Sequence, residues 1–403
     1  MKIFQKLLEN EVQHFIQTHL YEDAGRLMLK KSPFPAIEMR HLVGQIQAKR
    51  KAQIKLPSWF STSGLVFPLL LNLEQSSSEE TARFKAALMQ GRHLADLTGG
   101  FGIDCAFWAD SFELVDYVER NEELAAIAAH NFQVLDKSNI RVHVADAHEW
   151  LQNLGEPLDA VYIDPARRDA VGNKVFRLSD CEPDVPAMLP LLAKKTRQVL
   201  IKTSPMLDIS AALADLEQAA DVSWQVAEVT VLAVHNECKE VLYCLRQENS
   251  SETQIHAVNL TDSGVQAFNF SFAEEKAATV AFAMPQAFFF EPNAALLKAG
   301  AFKTPAARFH LQKLHPHTHL YTSEQRPEDF PGRVFRLTAV CKADRKAILA
   351  HLPQGKAHLA VRNFPASVAE LRKRWGIAEG GETYLFAVTL ADGQKAVLIG
   401  EKD

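Results

Sequence analysis

Four short segments carry carboxylates and glycines at intervals that suit a ligand bearing a nucleoside. The first is Asp96-Leu97-Thr98-Gly99-Gly100-Phe101-Gly102-Ile103-Asp104. Leu94 and Ala95 before it fit a strand, and Cys105 to Trp108 after it fit a helix. Its glycines let the backbone approach a ligand closely and take up positive φ at low cost. Glu119 and Arg120 come next, the glutamate 17 residues beyond Gly102 and at the end of the apolar run Leu114–Val118. In doubly wound folds an acidic residue roughly 20 positions past the glycine turn accepts ribose hydroxyls. Asp146 and Ala147 end a third strand, Val142–Ala145. Asp164-Pro165-Ala166-Arg167 ends a fourth, Leu158–Ile163. The carboxyl ends of parallel strands line the crevice where ligands bind.

The turn at Thr98–Gly102 is not G-x-G-x-x-G, so the helix start is not arranged for a pyrophosphate. Asp96 suits a cationic amino group. A ligand with an amino-acid end, a ribose and an adenine would meet Asp96, Glu119 and Asp146 in turn, and S-adenosylmethionine is such a ligand. Methyl transfer from a sulfonium is an in-line displacement with a neutral leaving group. It calls for a positioning device and exclusion of water rather than a catalytic triad.

These tips need elements to hold them. Strand and helix patterns alternate from Leu94 to about Phe272, which predicts a parallel sheet with crossover helices. A fifth strand is Gln198–Lys202. Glu228–Val234 and Val241–Leu245 follow as strands, with Asn236–Glu240 between them. Before the sheet, Phe4, Leu7, Leu8, Val12, Phe15 and Ile16 recur at helical spacing, and a second helix runs from about Ile37 through Lys51. Lys49-Arg50-Lys51 with Trp59 either holds phosphate and stacks a base, or ends a helix that the tryptophan anchors. Phe288-Phe289-Phe290 reads as core. Leu314–His319 reads as a structural loop rather than a metal site, because no second ligand cluster accompanies it. Strands are expected at Arg333–Val340, His358–Val361, Thr383–Leu390 and Lys395–Ile399, with a helix at Ala366–Arg374.

With 403 residues the chain predicts two to four domains. No apolar run approaches the ~18 residues of a membrane span. Five cysteines without CxxC spacing imply reduced thiols and a cytoplasmic setting. Net charge is −5, yet the ends are basic. Residues 1–60 hold 10 Lys+Arg against 5 Asp+Glu, and residues 326–403 hold 13 against 9. Basic flanks around an acidic centre fit nucleic-acid grip at the ends and cofactor chemistry in the middle, although charge fluctuation between domains gives the same pattern.

Taken in chain order, several tags carry a family resemblance. They are Gln75-Ser76-Ser77-Ser78-Glu79-Glu80-Thr81-Ala82, Asp96 to Asp104, Asp164-Pro165-Ala166-Arg167 and Lys202–Asp208, then Glu291-Pro292-Asn293-Ala294-Ala295, His319–Ser323 and Val361-Arg362-Asn363-Phe364-Pro365. With them the chain resembles a class I S-adenosylmethionine-dependent methyltransferase of the bacterial family with a ferredoxin-like segment and a C-terminal THUMP-like domain. The resemblance implies an α/β fold. It would comprise a Rossmann-like class I methyltransferase sheet with an N-terminal helical region and C-terminal α+β (ferredoxin-like and THUMP-like) domains. The expected boundaries are 1–75, 76–273, 274–325 and 326–403. S-adenosyl-L-methionine is the implied cofactor, with Ser78 and Thr81 over its methionine end and Thr98, Gly99, Gly100, Gly102, Asp104, Arg120 and Ala147 completing the pocket. No metal is implied.

Many amino-group methyltransferases carry Asp/Asn-Pro-Pro-aromatic where Asp164 stands. By that analogy Asp164 and the Pro165 carbonyl accept the two N–H bonds of an exocyclic amine. Arg167 replaces the aromatic, and a guanidinium can stack on a base or grip phosphate. Lys202, Arg168 and Arg362 are expected substrate contacts, Arg362 as part of a basic face with Arg372, Lys373 and Arg374. Lys202 and Asp208 form a structural pair on the alternative reading. Cys181 is a poor nucleophile, because Asp180, Glu182 and Asp184 would raise its thiol pKa. The expected partner is ribosomal or transfer RNA. DNA, protein or metabolite substrates, and a non-catalytic RNA-binding relic, remain alternatives.

Overall fold

A computed structural model describes residues 3–68, 70–167, 177–219, 224–247 and 252–403. By contact density the chain divides into Met1–Ala227 with Val241–Ser251, and Glu228–Glu240 with Glu252–Asp403.

The first unit opens with helices. The expected first helix is broken into Ile3–Leu7 and Asn10–Thr18. The expected second helix runs Met39–Lys55, and its buried face includes Leu42, Val43, Ile46 and Ala52. Asn10–Thr18 and Met39–Lys55 bury Val12, Ile16, Leu42 and Ile46 in one small core. Arg50 donates to the carbonyls of Leu20 and Glu22. Trp59 is buried with its ring 5.1 Å from Phe101. The tryptophan therefore anchors the helices to the glycine turn and is not available to stack on a base.

Strands β1 (His93–Asp96), β2 (Leu114–Glu119), β3 (Ile140–Val144), β4 (Ala160–Ile163) and β5 (Gln198–Thr203) follow. They run parallel, with β1 between β2 and β4. β4 is buried along its whole length, as expected for a strand covered on both faces. Two longer strands, β6 (Gln225–Val234) and β7 (Glu237–Arg246), continue the chain, and β7 pairs antiparallel with β5. The turn between them is only His235-Asn236, both at positive φ, so Glu237–Glu240 belong to a strand and not to a connection. Across the first unit the order is β7-β5-β4-β1-β2-β3. The chain leaves β1 toward β2 and β3 and later returns to its other side with β4. That reversal creates a crevice beyond the carboxyl ends of β1 and β4.

In the second unit β8 (Gln254–Thr261) lies parallel to β6 and pairs antiparallel with β9 (Gly264–Ser271). A seven-stranded sheet then uses β10 (Phe288–Pro292), β11 (Gln312–His315), β12 (Thr318–Ser323), β13 (Gly332–Lys342), β14 (His358–Arg362), β15 (Thr383–Thr389) and β16 (Lys395–Lys402), in the order β11-β12-β10-β13-β16-β15-β14. Leu314–His319 is thus two strands and their turn rather than a loop. β10 pairs with both β12 and β13, so residues 288–323 and 332–402 share one sheet. Thr318 Oγ1 donates to the Thr389 carbonyl at 2.7 Å, which draws β12 toward β15 and curls the sheet. Phe289, Leu320, Phe335, Phe386 and Leu398 fill the interior of the curl, and helices Arg345–Leu349 and Val368–Trp375 cover the other face. Among the described residues no helix is long and apolar enough to cross a membrane.

Candidate active site at the strand tips

The glycine turn joins β1 to helix Ile103–Trp108. Gly99 and Gly102 are required by packing: a Cβ would stand 2.3 Å from the Tyr117 ring at Gly99 and 2.6 Å from Phe132 at Gly102. Gly100 differs. It has φ +54°, and only the Thr98 carbonyl, at 3.6 Å, lies near where its Cβ would be. Open space above a positive-φ glycine is what a ligand approaching the backbone needs. Tyr117 fixes the crest by donating to the Gly100 carbonyl at 2.6 Å.

Glu119 ends β2 under that crest. Its Oε2 accepts the Gly100 N–H at 2.9 Å and its Oε1 accepts the Asn121 N–H at 2.8 Å. Each carboxylate oxygen can accept a second bond, so both can also receive ligand hydroxyls. Arg120 points elsewhere: it is exposed and pairs with Glu182 at 2.5 Å. Asp146 caps helix Ala147–Asn153, its Oδ1 accepting the N–H groups of His148 and Glu149, while Ala147 is buried.

Asp96 is 1% exposed, and Thr98 N donates to its Oδ1 at 3.0 Å. Burial pushes its carboxyl well above the ordinary aspartate range, against the Thr98 hydrogen bond. Asp96 is thus a buried side chain whose Oδ1 shapes the glycine turn. Thr98 uses its Oγ1 to accept the Asp164 N–H at 2.6 Å. That bond ties the tip of β4 to the tip of β1 across the crevice.

Behind Asp164 lies a network that sequence spacing did not reveal. Lys202, on β5, places Nζ 2.6 Å from Asp164 Oδ2 and donates to Ser77 Oγ at 3.2 Å. Lys85 donates to the same Ser77 Oγ at 2.8 Å and stands 3.2 Å from Asp104 Oδ1. Asp104 Oδ2 accepts from Ser77 Oγ and from Tyr162 OH, each at 2.8 Å. Two lysines and Asp104 therefore share one hydroxyl, and Lys202 carries the cluster on to Asp164. Burial would raise the Asp104 carboxyl, but Lys85, Lys202, Tyr162 and Ser77 together hold it below the usual aspartate range. Asp164 moves the other way: burial raises it, Lys202 opposes that rise, and Asp104 adds to it. The Asp164 side chain is 33% exposed, whereas those of Lys85 and Lys202 are 0% and 8%. Asp164 is where the network meets solvent.

The structure thus brings Thr98, Gly100, Asp104, Glu119, Asp164 and Lys202 together. Ser78 and Thr81 serve another purpose: Ser78 caps helix Glu79–Ala86 by accepting the Thr81 N–H, and Thr81 is buried. The serine of the triplet that joins the buried network is Ser77, one residue earlier. Lys85 shares the buried side of that helix with Thr81 and Ala82, and a lysine at a buried helical position was the available signal. Asp208 does not pair with Lys202; it accepts the Ala211 N–H at the start of helix Ile209–Ala219. Pro165 lies on the tip after β4, and the backbone of Arg167 bridges that of Cys181. The Arg167 side chain and all of Arg168 lie outside the described residues. Cys181 is buried. Arg362 belongs to the second unit, where it pairs with Glu291. Arg372 meets Glu379 and the Ala357 carbonyl, so it does not join Arg362 in a basic face.

Comparisons with known proteins agree with this architecture. A family model described as a ferredoxin-like domain matches residues 288–331, and one described as THUMP domain-like matches residues 332–402. No curated protein matches the chain. Among solved structures, a candidate methyltransferase from Porphyromonas gingivalis W83 is 34% identical, with a TM-score of 0.86, over 100% of this chain and 99% of that one. An rRNA methylase from Streptococcus thermophilus is 15% identical over 42% of this chain and 94% of that one, with a TM-score of 0.30. The identity to the Porphyromonas protein over the full length of both chains settles the relationship: this protein belongs to the bacterial family that joins a class I methyltransferase-type sheet domain to a ferredoxin-like segment and a THUMP-like C-terminal domain.

Proposed function

We propose that this protein is an S-adenosylmethionine-dependent methyltransferase that modifies an exocyclic amine of a base in ribosomal or transfer RNA, in the cytoplasm. The observation that carries the reading is the Thr98–Asp164 bond. It unites the glycine turn and the Asp-Pro tip at the reversal of strand order, where an α/β sheet binds its ligand. The full-length relative described as a candidate methyltransferase supports the reaction class, and the THUMP-like match supports RNA as partner.

The residues present fit the cofactor. The crest at Gly100 is open on the side where a Cβ would stand, and Glu119 keeps acceptor capacity beneath it. Glu119 would hold the ribose hydroxyls, and the turn Thr98–Gly100 would receive the rest of the nucleoside. When bound, S-adenosylmethionine supplies an electrophilic methyl on a cationic sulfur.

The chain's own part is positioning. Lys202 holds Asp164 by a 2.6 Å ion pair and opposes the rise in its pKa that burial causes. Ionised Asp164 and the Pro165 carbonyl accept the two N–H bonds of the amine. That arrangement localises the nitrogen lone pair, which the base ring otherwise delocalises, toward the methyl. The proton released from nitrogen leaves by way of Asp164, the network's outlet to solvent. Thr98 keeps the tip fixed, so little reorganisation remains at reaction.

The direct test is nucleoside mass spectrometry on RNA from a strain lacking the protein. One methylated nucleoside is expected to vanish and to return when the gene is restored. An unaltered profile removes RNA as substrate.

A further inference from the structure

Among the sequence tags to which the catalytic reading gives no role are Glu291-Pro292-Asn293 and Val361-Arg362-Asn363. They meet inside the second unit. Glu291 lies on β10, 3% exposed, in register with Arg333 of β13. Its Oε2 accepts from Arg333 Nε at 2.7 Å, and its Oε1 accepts from Arg362 Nη2 of β14 at 2.5 Å. One carboxylate thus holds two guanidiniums, leaving one positive charge in excess. The carboxylate is inside, but the Arg333 and Arg362 side chains are 37% and 35% exposed.

Stability alone does not call for this arrangement. Apolar side chains of similar volume close the end of a sheet about as well as a buried ion pair does. What the pair adds is a rigid display of donors. Each guanidinium has five N–H groups, and the contacts to Glu291 and the Val361 carbonyl use only some of them. Aromatic rings stand beside one of them, Arg333. The Arg333 guanidinium lies 5.5 Å from the Phe335 ring and 6.0 Å from that of Tyr384. His358 stacks on Tyr384 with centroids 4.8 Å apart and planes at 27°. Paired guanidiniums match the oxygens of a phosphate, and an adjoining ring stack suits an unpaired base.

We propose that Arg333 and Arg362, oriented by Glu291, grip a backbone phosphate of single-stranded RNA, with Tyr384 and His358 stacking an adjacent base. The proposal rests on the reading of RNA as substrate. It deepens that reading by placing an RNA contact on the seven-stranded sheet.

Binding of a labelled single-stranded RNA oligomer to the full chain is measured by fluorescence anisotropy, with calorimetry against S-adenosylhomocysteine in parallel. The variant carries Arg333→Lys and Arg362→Lys, which keeps both charges beside Glu291 but removes the fork. About tenfold weaker RNA binding is expected, with unchanged melting temperature and unchanged nucleoside affinity. An oligomer with an uncharged methylphosphonate linkage should bind both forms equally weakly. A second measurement needs no variant: phenylglyoxal labelling of Arg333 and Arg362 in the wild type should slow when RNA is added. Equal RNA affinity in wild type and variant, or labelling indifferent to RNA, overturns the proposal. A chain that binds RNA through this pair but ignores S-adenosylhomocysteine sinks the enzyme reading and leaves this one standing. Tight nucleoside binding with RNA affinity blind to the pair does the reverse.

Discussion

Each unit of the protein buries ionised groups, but the two do so with opposite geometry. In the first unit Lys85, Lys202, Asp104 and Ser77 close on one another, and one member, Asp164, reaches solvent. In the second, one buried carboxylate holds two arginines that lie open on their outer sides. A closed network fixes a reacting group and tunes its protonation. An open one holds ligand-binding donors in place. On the proposed reading, the same physics of desolvated charge would serve chemistry at the strand tips and display on the seven-stranded sheet.

The largest effect should come from the outlet of the closed network. Asp164→Ala is expected to lower the methyl-transfer rate by about 10³-fold while S-adenosylhomocysteine binding persists. Transfer at wild-type rate would remove Asp164 from the mechanism. The pH profile sharpens the test. Burial raises the Asp164 pKa above the ordinary aspartate value, so the ionised form is lost as pH falls through that raised value. Activity should climb with pH there, and Lys202→Met, which removes the opposing charge, should move the climb to higher pH.

Stability separates the two regions next. Lys85→Met leaves the buried Asp104 without its nearest cation and should cost about 3 kcal/mol in chemical denaturation. Asp104 is held below its unfolded pKa, so its contribution is present above about pH 4 and fades as pH falls through the folded value. The Lys85→Met variant should lose part of that acid dependence. Glu291→Gln should cost less, about 1 kcal/mol, because half-exposed arginines can turn to water. Equal costs at the two sites would erase the distinction between closed and open.

Much of this was legible in the residues. Strands β1, β2 and β4 fell where apolar runs end in Asp96, Glu119 and Asp164, because a strand buried on both faces must be apolar until it reaches its polar tip. The helix expected at Ala366–Arg374 runs Val368–Trp375 and stops at Gly376, a left-handed cap at φ 67°. Ser77 and Lys85 were not legible, because their roles depend on side chains from β4 and β5 converging on one hydroxyl. No spacing rule reports such a meeting. Ser78 drew attention for the same residue type and proved to be the helix cap. The burial of Asp96 was not legible either, because sequence carries no record of burial. Trp59 read as a possible stacking ring for the same reason. Leu314–His319 hid two strands because alternation over so few residues is weak evidence.

Calorimetric titration of S-adenosylmethionine into the wild-type chain and into Glu119→Ala tests the cofactor pocket most directly. One site per chain is expected in the wild type, with affinity falling at least about tenfold when the carboxylate beneath Gly100 is removed. A folded wild-type protein that shows no heat of binding, or a variant that binds as tightly as its parent, would contradict a pocket built on β1 and β2.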